Sequence, residues 1–186
     1  LPIHCGPEIG VASTKALLDK MPPPKKFEYI YNRIGTLNGD SLVVFSAYSV
    51  VLTKLHAFLK AQGCQVGIIT GKTSRKHRER AICGFMERNI KIFLLSTNAA
   101  AVGINLQAGA HIIFMEPSLN DSVKEQAIGR LQRIGQTKNV TVTTLCCQNS
   151  YESLYEVNYK RYKEQTNRYL GTKKFKKWEL IYRKEC

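Results

Sequence analysis

Arg130 and Arg133 stand three residues apart, with Gln126 four residues before the first, in the run Glu125-Gln126-Ala127-Ile128-Gly129-Arg130-Leu131-Gln132-Arg133-Ile134-Gly135-Gln136. Ser122-Val123-Lys124-Glu125 has capping-box spacing, so a helix is predicted to open there. Residues three and four apart on a helix share a face. Two guanidiniums on one face can each make paired hydrogen bonds to phosphate oxygens. Held at the γ-phosphate of a nucleotide, such a group stabilises charge that develops in the transition state. On spacing alone, an exposed helix with arginines paired to Glu125 and its neighbours is the more ordinary arrangement.

A second cluster is Gly71-Lys72-Thr73-Ser74, which follows one apolar run and precedes a helical pattern. It is reminiscent of a phosphate-binding loop, but that loop requires G-x-x-x-x-G-K-[ST] and hence glycine at position 66. Position 66 is Val66, and Gly67 stands one residue too late. Lys72 and Thr73 are then candidates for contact with a nucleic-acid backbone, with Arg75, Lys76, Arg78 and Arg80 adding local positive charge. A solvated basic helix face is the alternative for those four. Ser46, Thr97 and Cys64 have no evident base partner in the sequence. The four histidines, His4, His56, His77 and His111, are dispersed.

These residues need a scaffold. Leu42-Val43-Val44-Phe45 is a short continuous apolar run, as expected of a strand buried on both faces. Val66 to Ile69, Ile92 to Leu95, Ile112 to Met115 and Val140 to Leu145 are four further predicted strands. Between them, Leu52, Leu55, Phe58 and Leu59 recur at helical spacing, ending at Gly63. Ala81, Ile82, Phe85 and Met86 mark another helix, capped by Ser74 or Thr73. Short helices are expected over Thr14 to Lys20 and Lys25 to Leu37, and a longer one from about Ser150 to Arg168. Asn38-Gly39-Asp40 is a turn signal. Strands alternating with helices predict an α/β fold with an open, mainly parallel sheet. In such sheets ligands sit beyond the carboxyl ends of the strands, here after residues 46, 70, 96 and 116.

The 186 residues suffice for one domain with a hydrophobic core plus extensions. Twenty-eight Lys and Arg against 14 Asp and Glu give a net charge of +14, which favours polyanionic partners, nucleic acid first. No apolar run approaches the ~18 residues of a membrane span, so no membrane association is expected. A start at Leu1 rather than Met reads as a fragment or a processed piece. The six cysteines include no C-x-x-C pair and are expected to be reduced thiols, with no metal site. Residues 160–186 hold ten Lys or Arg and three Glu, interleaved with Tyr162, Tyr169, Phe175, Trp178 and Tyr182. Such a tail can track a nucleic-acid backbone or pack back on the domain.

The run Gln126 to Gln136 closely resembles the sixth conserved motif of Swi/Snf-type helicases. The resemblance extends upstream in order. Val43-Val44-Phe45-Ser46 is similar to the fourth motif. Leu94-Leu95-Ser96-Thr97 with Val102-Gly103-Ile104-Asn105-Leu106 is similar to the fifth, and Ile113 to Asn120 to the segment between the fifth and sixth. The likeness covers roughly residues 40 to 150. Glu116-Pro117, Asn120 and Gly129 look most like the RING-bearing, SHPRH-like branch. Three departures stand out. Asn98-Ala99-Ala100-Ala101 replaces Arg-Ala-Gly-Gly, Asn120-Asp121 replaces Asn-Pro, and Gln132 replaces histidine.

The resemblance implies the second, C-terminal RecA-like lobe of an ATP-dependent double-stranded DNA translocase, with helical N- and C-terminal extensions. It divides the chain into a linker and lead-in (1–39), the lobe (40–148) and a brace helix with basic tail (149–186). Arg130 and Arg133 would be catalytic, while Gly103, Asn105 and Gln126 would line the nucleotide cleft. Gly71, Lys72, Thr73, Ser96 and Thr97 would contact DNA. ATP with Mg2+ would be bound mainly by an N-terminal lobe of the same parent protein, so this chain would not turn over ATP alone. Tyr151, Leu154 and Tyr155 of the brace would return toward that lobe. Chromatin or ubiquitin-pathway proteins are further partners implied, with a nuclear location. A degenerate lobe that only binds DNA or protein is the alternative, favoured by the alanines at 99–101.

Overall fold

The computed structural model describes residues 23–97, 104–117, 121–132, 136–154, 158 and 161. Five parallel strands lie in the order β2-β3-β1-β4-β5. They are β1 (Ser41–Ser46), β2 (Val66–Ile69), β3 (Ile92–Ser96), β4 (Gly109–Phe114) and β5 (Thr141–Thr144). The helices are α1 (Lys25–Ile34), α2 (Ser49–Ala61), α3 (Arg75–Met86) and α4 (Asp121–Leu131). The sheet is therefore wholly parallel among the described residues.

β1 is central, and every residue in it is buried. Its side chains alternate between two cores, because successive residues of a strand point to opposite faces. Val43 and Phe45 join Phe93, Leu95, Ile112 and Phe114 on one face, which α3 covers with Phe85 and α4 with Ala127, Ile128 and Leu131. Leu42 and Val44 join Ile92, Leu94 and Ile113 on the other, covered by Phe27 and Ile30 of α1 and Leu52, Leu55 and Leu59 of α2. Phe85 stacks on Phe93 at 4.9 Å between ring centroids, and Phe45 on Phe114 at 5.4 Å. Each fully buried side chain of this size is worth about 1.5–3 kcal/mol relative to exposure.

Boundaries shift where local chemistry outweighs apolar pattern. The predicted helix over 25–37 stops at Ile34, and turns closed by Arg33 O to Thr36 N (3.0 Å) and Ile34 O to Leu37 N (3.2 Å) follow. Asn38 (φ 47) and Gly39 (φ 85) then take the left-handed backbone that makes the turn into β1. Gly63 (φ 76) follows the end of α2 in the same region. β4 begins at Gly109, three residues before the apolar run. α4 begins at Asp121, so Ser122 occupies its first turn rather than the cap position the capping box requires. The predicted helix over 14–20 lies outside the described residues. From the predicted brace, residues 151–154, 158 and 161 are helical.

Candidate functional site

At the amino-terminal edge of the sheet, β4 enters beside β1, with Gly109 paired to Ser41. A Cβ on Gly109 would meet Val43 Cγ2 at 3.0 Å and Leu131 Cδ2 at 3.1 Å, so glycine leaves the room in which the end of α4 packs close. The preceding segment is tied to that helix end, since Leu106 N donates to Arg130 O at 3.0 Å. Gln136 reinforces the junction. Its Nε2 lies 3.0 Å from Gln107 O, 2.9 Å from Gly109 O and 3.4 Å from Leu131 O. Its Oε1 accepts from Lys138 N at 3.1 Å.

Asn105 and Arg130 therefore share one edge, brought together by backbone and by Gln136. Asn105 is half-buried, with Nδ2 donating to Gln107 Oε1 (3.1 Å) and Oδ1 accepting from Gln107 N (3.3 Å). Arg130 is half-buried and Gln126 exposed. Gly103 and Arg133 lie outside the described residues. This edge is opposite to the one where parallel sheets ordinarily bind ligands. α4 starts beyond the carboxyl end of β4 and runs back across the sheet, and its 11 residues span ~16 Å. Its last turn, with Arg130, is thereby delivered to the amino-terminal edge.

A charged group sits nearby. Asp40 pairs with Lys138, and His111 Nε2 lies 3.6 Å from its Oδ2. The hydrogen bond from Lys138 holds the Asp40 carboxyl below its usual value. Burial pushes His111 below the ordinary 6.5, against the opposing pull of Asp40.

The carboxyl-terminal edge has two parts. Beyond β2, Thr73 closes a turn, with its Oγ1 accepting from Thr70 N (2.9 Å) and its N donating to Thr70 O (3.1 Å). Ser74, not Thr73, caps α3 by accepting from His77 N at 3.5 Å. Gly71 and Lys72 are left exposed at the tip. Residues 66–69 are strand, and a Cβ on Gly67 would meet the Phe93 ring at 3.0 Å. Gly67 thus serves close packing, and no phosphate-binding loop begins there. Ser96, expected to touch nucleic acid, is instead 4% exposed beside Ser46, its partner in the β1–β3 register. Strand pairing holds it inward, and Thr97 is the half-buried residue next to it.

Beyond β1 and β4 the same edge is closed. Ser46, which has no evident partner in the sequence, donates from Oγ to Glu116 Oε1 at 2.5 Å, and Ala47 N donates to Glu116 Oε2 at 3.3 Å. Burial raises the Glu116 pKa despite these bonds. Lys26 of α1 donates to Met115 O (2.6 Å) and to both oxygens of Glu152 (2.6 and 2.7 Å), and Cys147 N also donates to Glu152 (2.8 Å). Ser46 and Glu116 are 70 residues apart and Lys26 and Glu152 are 126 apart, so no local pattern links either pair.

Comparison with known proteins follows the same lines. Residues 25–135 match the family model described as helicase conserved C-terminal domain. The chain is 37% identical over 112 residues to the ATP-dependent helicase rhp16 of Schizosaccharomyces pombe, covering 60% of this chain and 13% of that protein. It is 36% identical over 122 residues to the DNA repair protein RAD5 of Saccharomyces cerevisiae (61% and 10%). To the human chromatin-remodeling ATPase INO80 it is 33% identical over 115 residues (61% and 7%). The chain thus spans about a tenth of the length of these relatives. The solved C-terminal part of the Fun30 ATPase domain superposes with a TM-score of 0.68 at 30% identity, covering 73% of this chain and 45% of that one. The sheet and its flanking helices have the RecA-like α/β fold.

Proposed function

Since this chain belongs to the helicase conserved C-terminal domain family, with homologues among Swi/Snf-type ATPases, we propose that it is the second lobe of an ATP-dependent double-stranded DNA translocase. One observation carries the reading. The segment bearing Asn105 and the helix end bearing Arg130 are joined through Leu106 N to Arg130 O and through Gln136. Residues of two separate motifs then face a nucleotide as one unit.

ATP with magnesium is the substrate, held mainly by the N-terminal lobe of the parent protein. The residues here fit the phosphate end of such a site. Arg130 and Arg133 bring guanidiniums to the transferred phosphoryl group, where they stabilise its developing charge. Gly103 and Asn105 line the cleft, and Gln126, one turn before Arg130 on α4, orients it. Among the described residues no three His, Cys, Asp or Glu side chains are grouped to hold a metal. At the opposite edge, Gly71, Lys72, Thr73 and Thr97 meet the DNA backbone. Lobe closure assembles the site, and opening moves the DNA grip. The parent protein is nuclear in this reading and belongs to the RING-bearing branch. Chromatin and ubiquitin-pathway proteins are its partners.

The test is DNA-stimulated ATPase of the parent two-lobe protein, wild type beside Arg133→Ala, with DNA binding followed separately. Turnover is expected to fall by about 10³ or more while DNA binding persists. Absence of DNA-stimulated turnover in the wild type, or an unaffected variant, would favour a degenerate binding lobe, to which Asn98-Ala99-Ala100-Ala101 already gives some support.

A further inference from the structure

We infer that Gln136 is the positioning residue of the amino-edge site, its carboxamide fixing the Asn105 segment against the helix end that bears Arg130. The inference rests on the proposed nucleotide role of that edge. Gln136 touches no reacting group itself. It faces three carbonyls, two of which, on Gln107 and Gly109, bracket the entry to β4. The third belongs to Leu131, the last residue of α4. Terminal carbonyls of a helix have no partner within it, so a side-chain donor there fixes where the helix stops.

A primary amide has two N–H donors. The contacts at 2.9 and 3.0 Å take them, and the one at 3.4 Å is shared. Because Oε1 accepts from Lys138 N, the amide cannot flip without losing donor and acceptor bonds together. Glutamine is therefore required by chemistry as well as by length. Glutamate has the same shape but would turn a charged acceptor toward three carbonyls. Asparagine keeps the amide but is one methylene too short to span all of them. Gln136 also reaches back across positions 133–135 to Leu131, so the two sides of the Arg133 segment are joined by this one side chain.

The experiment uses the full parent protein as wild type, Gln136→Glu and Gln136→Asn. Three quantities are followed: DNA-stimulated ATPase with kcat and KM resolved, DNA affinity, and hydrogen exchange at the Leu106 amide. Gln136→Glu is expected to lower kcat about 10- to 100-fold, the scale of a small misplacement of a catalytic group. KM for ATP and Kd for DNA should stay within about twofold, as for loss of an interaction made only in the transition state. Exchange at Leu106 should accelerate, because its bond to Arg130 O depends on the fixed helix end. Gln136→Asn should fall between the two proteins, and it decides the question if the glutamate variant does not fold. A normal kcat, or normal Leu106 exchange, in a folded variant overturns the inference. Should the wild type show no DNA-stimulated turnover, the motor reading fails, and Leu106 exchange alone still decides whether Gln136 is the clamp.

Discussion

The amino-terminal edge of the sheet and the carboxyl-terminal loop beyond β2 treat their polar residues in opposite ways. At the amino-terminal edge, Asn105, Gln107 and Gln136 bond to one another and to the backbone, and Asp40, His111 and Lys138 form a mixed charged group. At the carboxyl-terminal edge beyond β2, Gly71 and Lys72 face solvent, followed by Arg75, Lys76 and Arg80 on the exposed side of α3. The difference fits the work proposed for each. Phosphoryl transfer needs charges fixed before the reaction begins. A backbone grip that must release and re-form needs cations on flexible, hydrated stems. One parallel sheet provides both because its helices run back from one edge to the other.

The largest expected effect tests the locked edge. Arg130→Ala in the parent protein should reduce kcat about 10³-fold with little change in DNA affinity. The same loss from Lys72→Ala would abolish the division between the edges, and parallel ATPase and DNA-binding titrations distinguish these outcomes. The next effect concerns the closed part of the carboxyl edge. Lys26 is 11% exposed and Glu152 is 23% exposed in their side chains. Lys26→Met leaves Glu152 with only the Cys147 amide among the bonds described above. Removing one partner of a fully buried pair costs about 3–5 kcal/mol and of a surface pair under about 1, so about 2 kcal/mol is expected here. Urea unfolding of this chain measures it, and a change below about 0.5 kcal/mol would mean the pair behaves as a surface contact.

The sequence and the structure agree where physics is local. Continuous apolar runs at 42–45, 66–69 and 92–95 are strands because nothing but a two-faced core accepts them. Asn38-Gly39 and Gly63 are legible because left-handed backbone demands such residues. The placement of Asn105 and Arg130 at one edge was not legible from strand order, since the rule for carboxyl ends points to the other edge. Ser46 with Glu116, and Lys26 with Glu152, are pairings of the fold and leave no periodic trace. Gln136 was visible only as the last letter of a motif, and its role depends on three carbonyls that no sequence displays. The buried state of Ser96 follows from its register with Ser46, which pattern alone does not set.

A smaller effect sharpens the open edge. Lys72→Ala should weaken DNA binding uniformly across sequences and lower the slope of log K against log salt by about 1, the signature of one phosphate contact. Stability should change by no more than about 0.5 kcal/mol, because Lys72 is exposed. Sequence-dependent loss or an unchanged slope would remove Lys72 from the backbone track.

The smallest effect is a pair of opposite pH responses, one from each edge. His111 is pushed below 6.5 chiefly by burial, with Arg33 and Lys138 adding to that push and Asp40 opposing it. As pH falls through 6.5 the unfolded chain takes up this proton first, so the histidine's stabilising contribution declines until its lowered folded value is passed. Asp40, itself held below the usual carboxylate value, stays ionised through that window. Glu116 behaves in the reverse sense. Burial raises it above 4.5, with Ser46, Ala47 and Lys26 pulling it down and Glu152 pushing it up. On acidification the folded state binds this proton first, and stability rises between the raised value and 4.5. Each term should be about 1 kcal/mol or less, since neither site is sealed from water. Urea unfolding between pH 7 and 4.5, for wild type beside His111→Asn and Glu116→Gln, separates them. The wild type should lose ground to His111→Asn and gain on Glu116→Gln as pH falls. Drift in the same direction for both would mean that burial does not act on the two edges as their contacts imply.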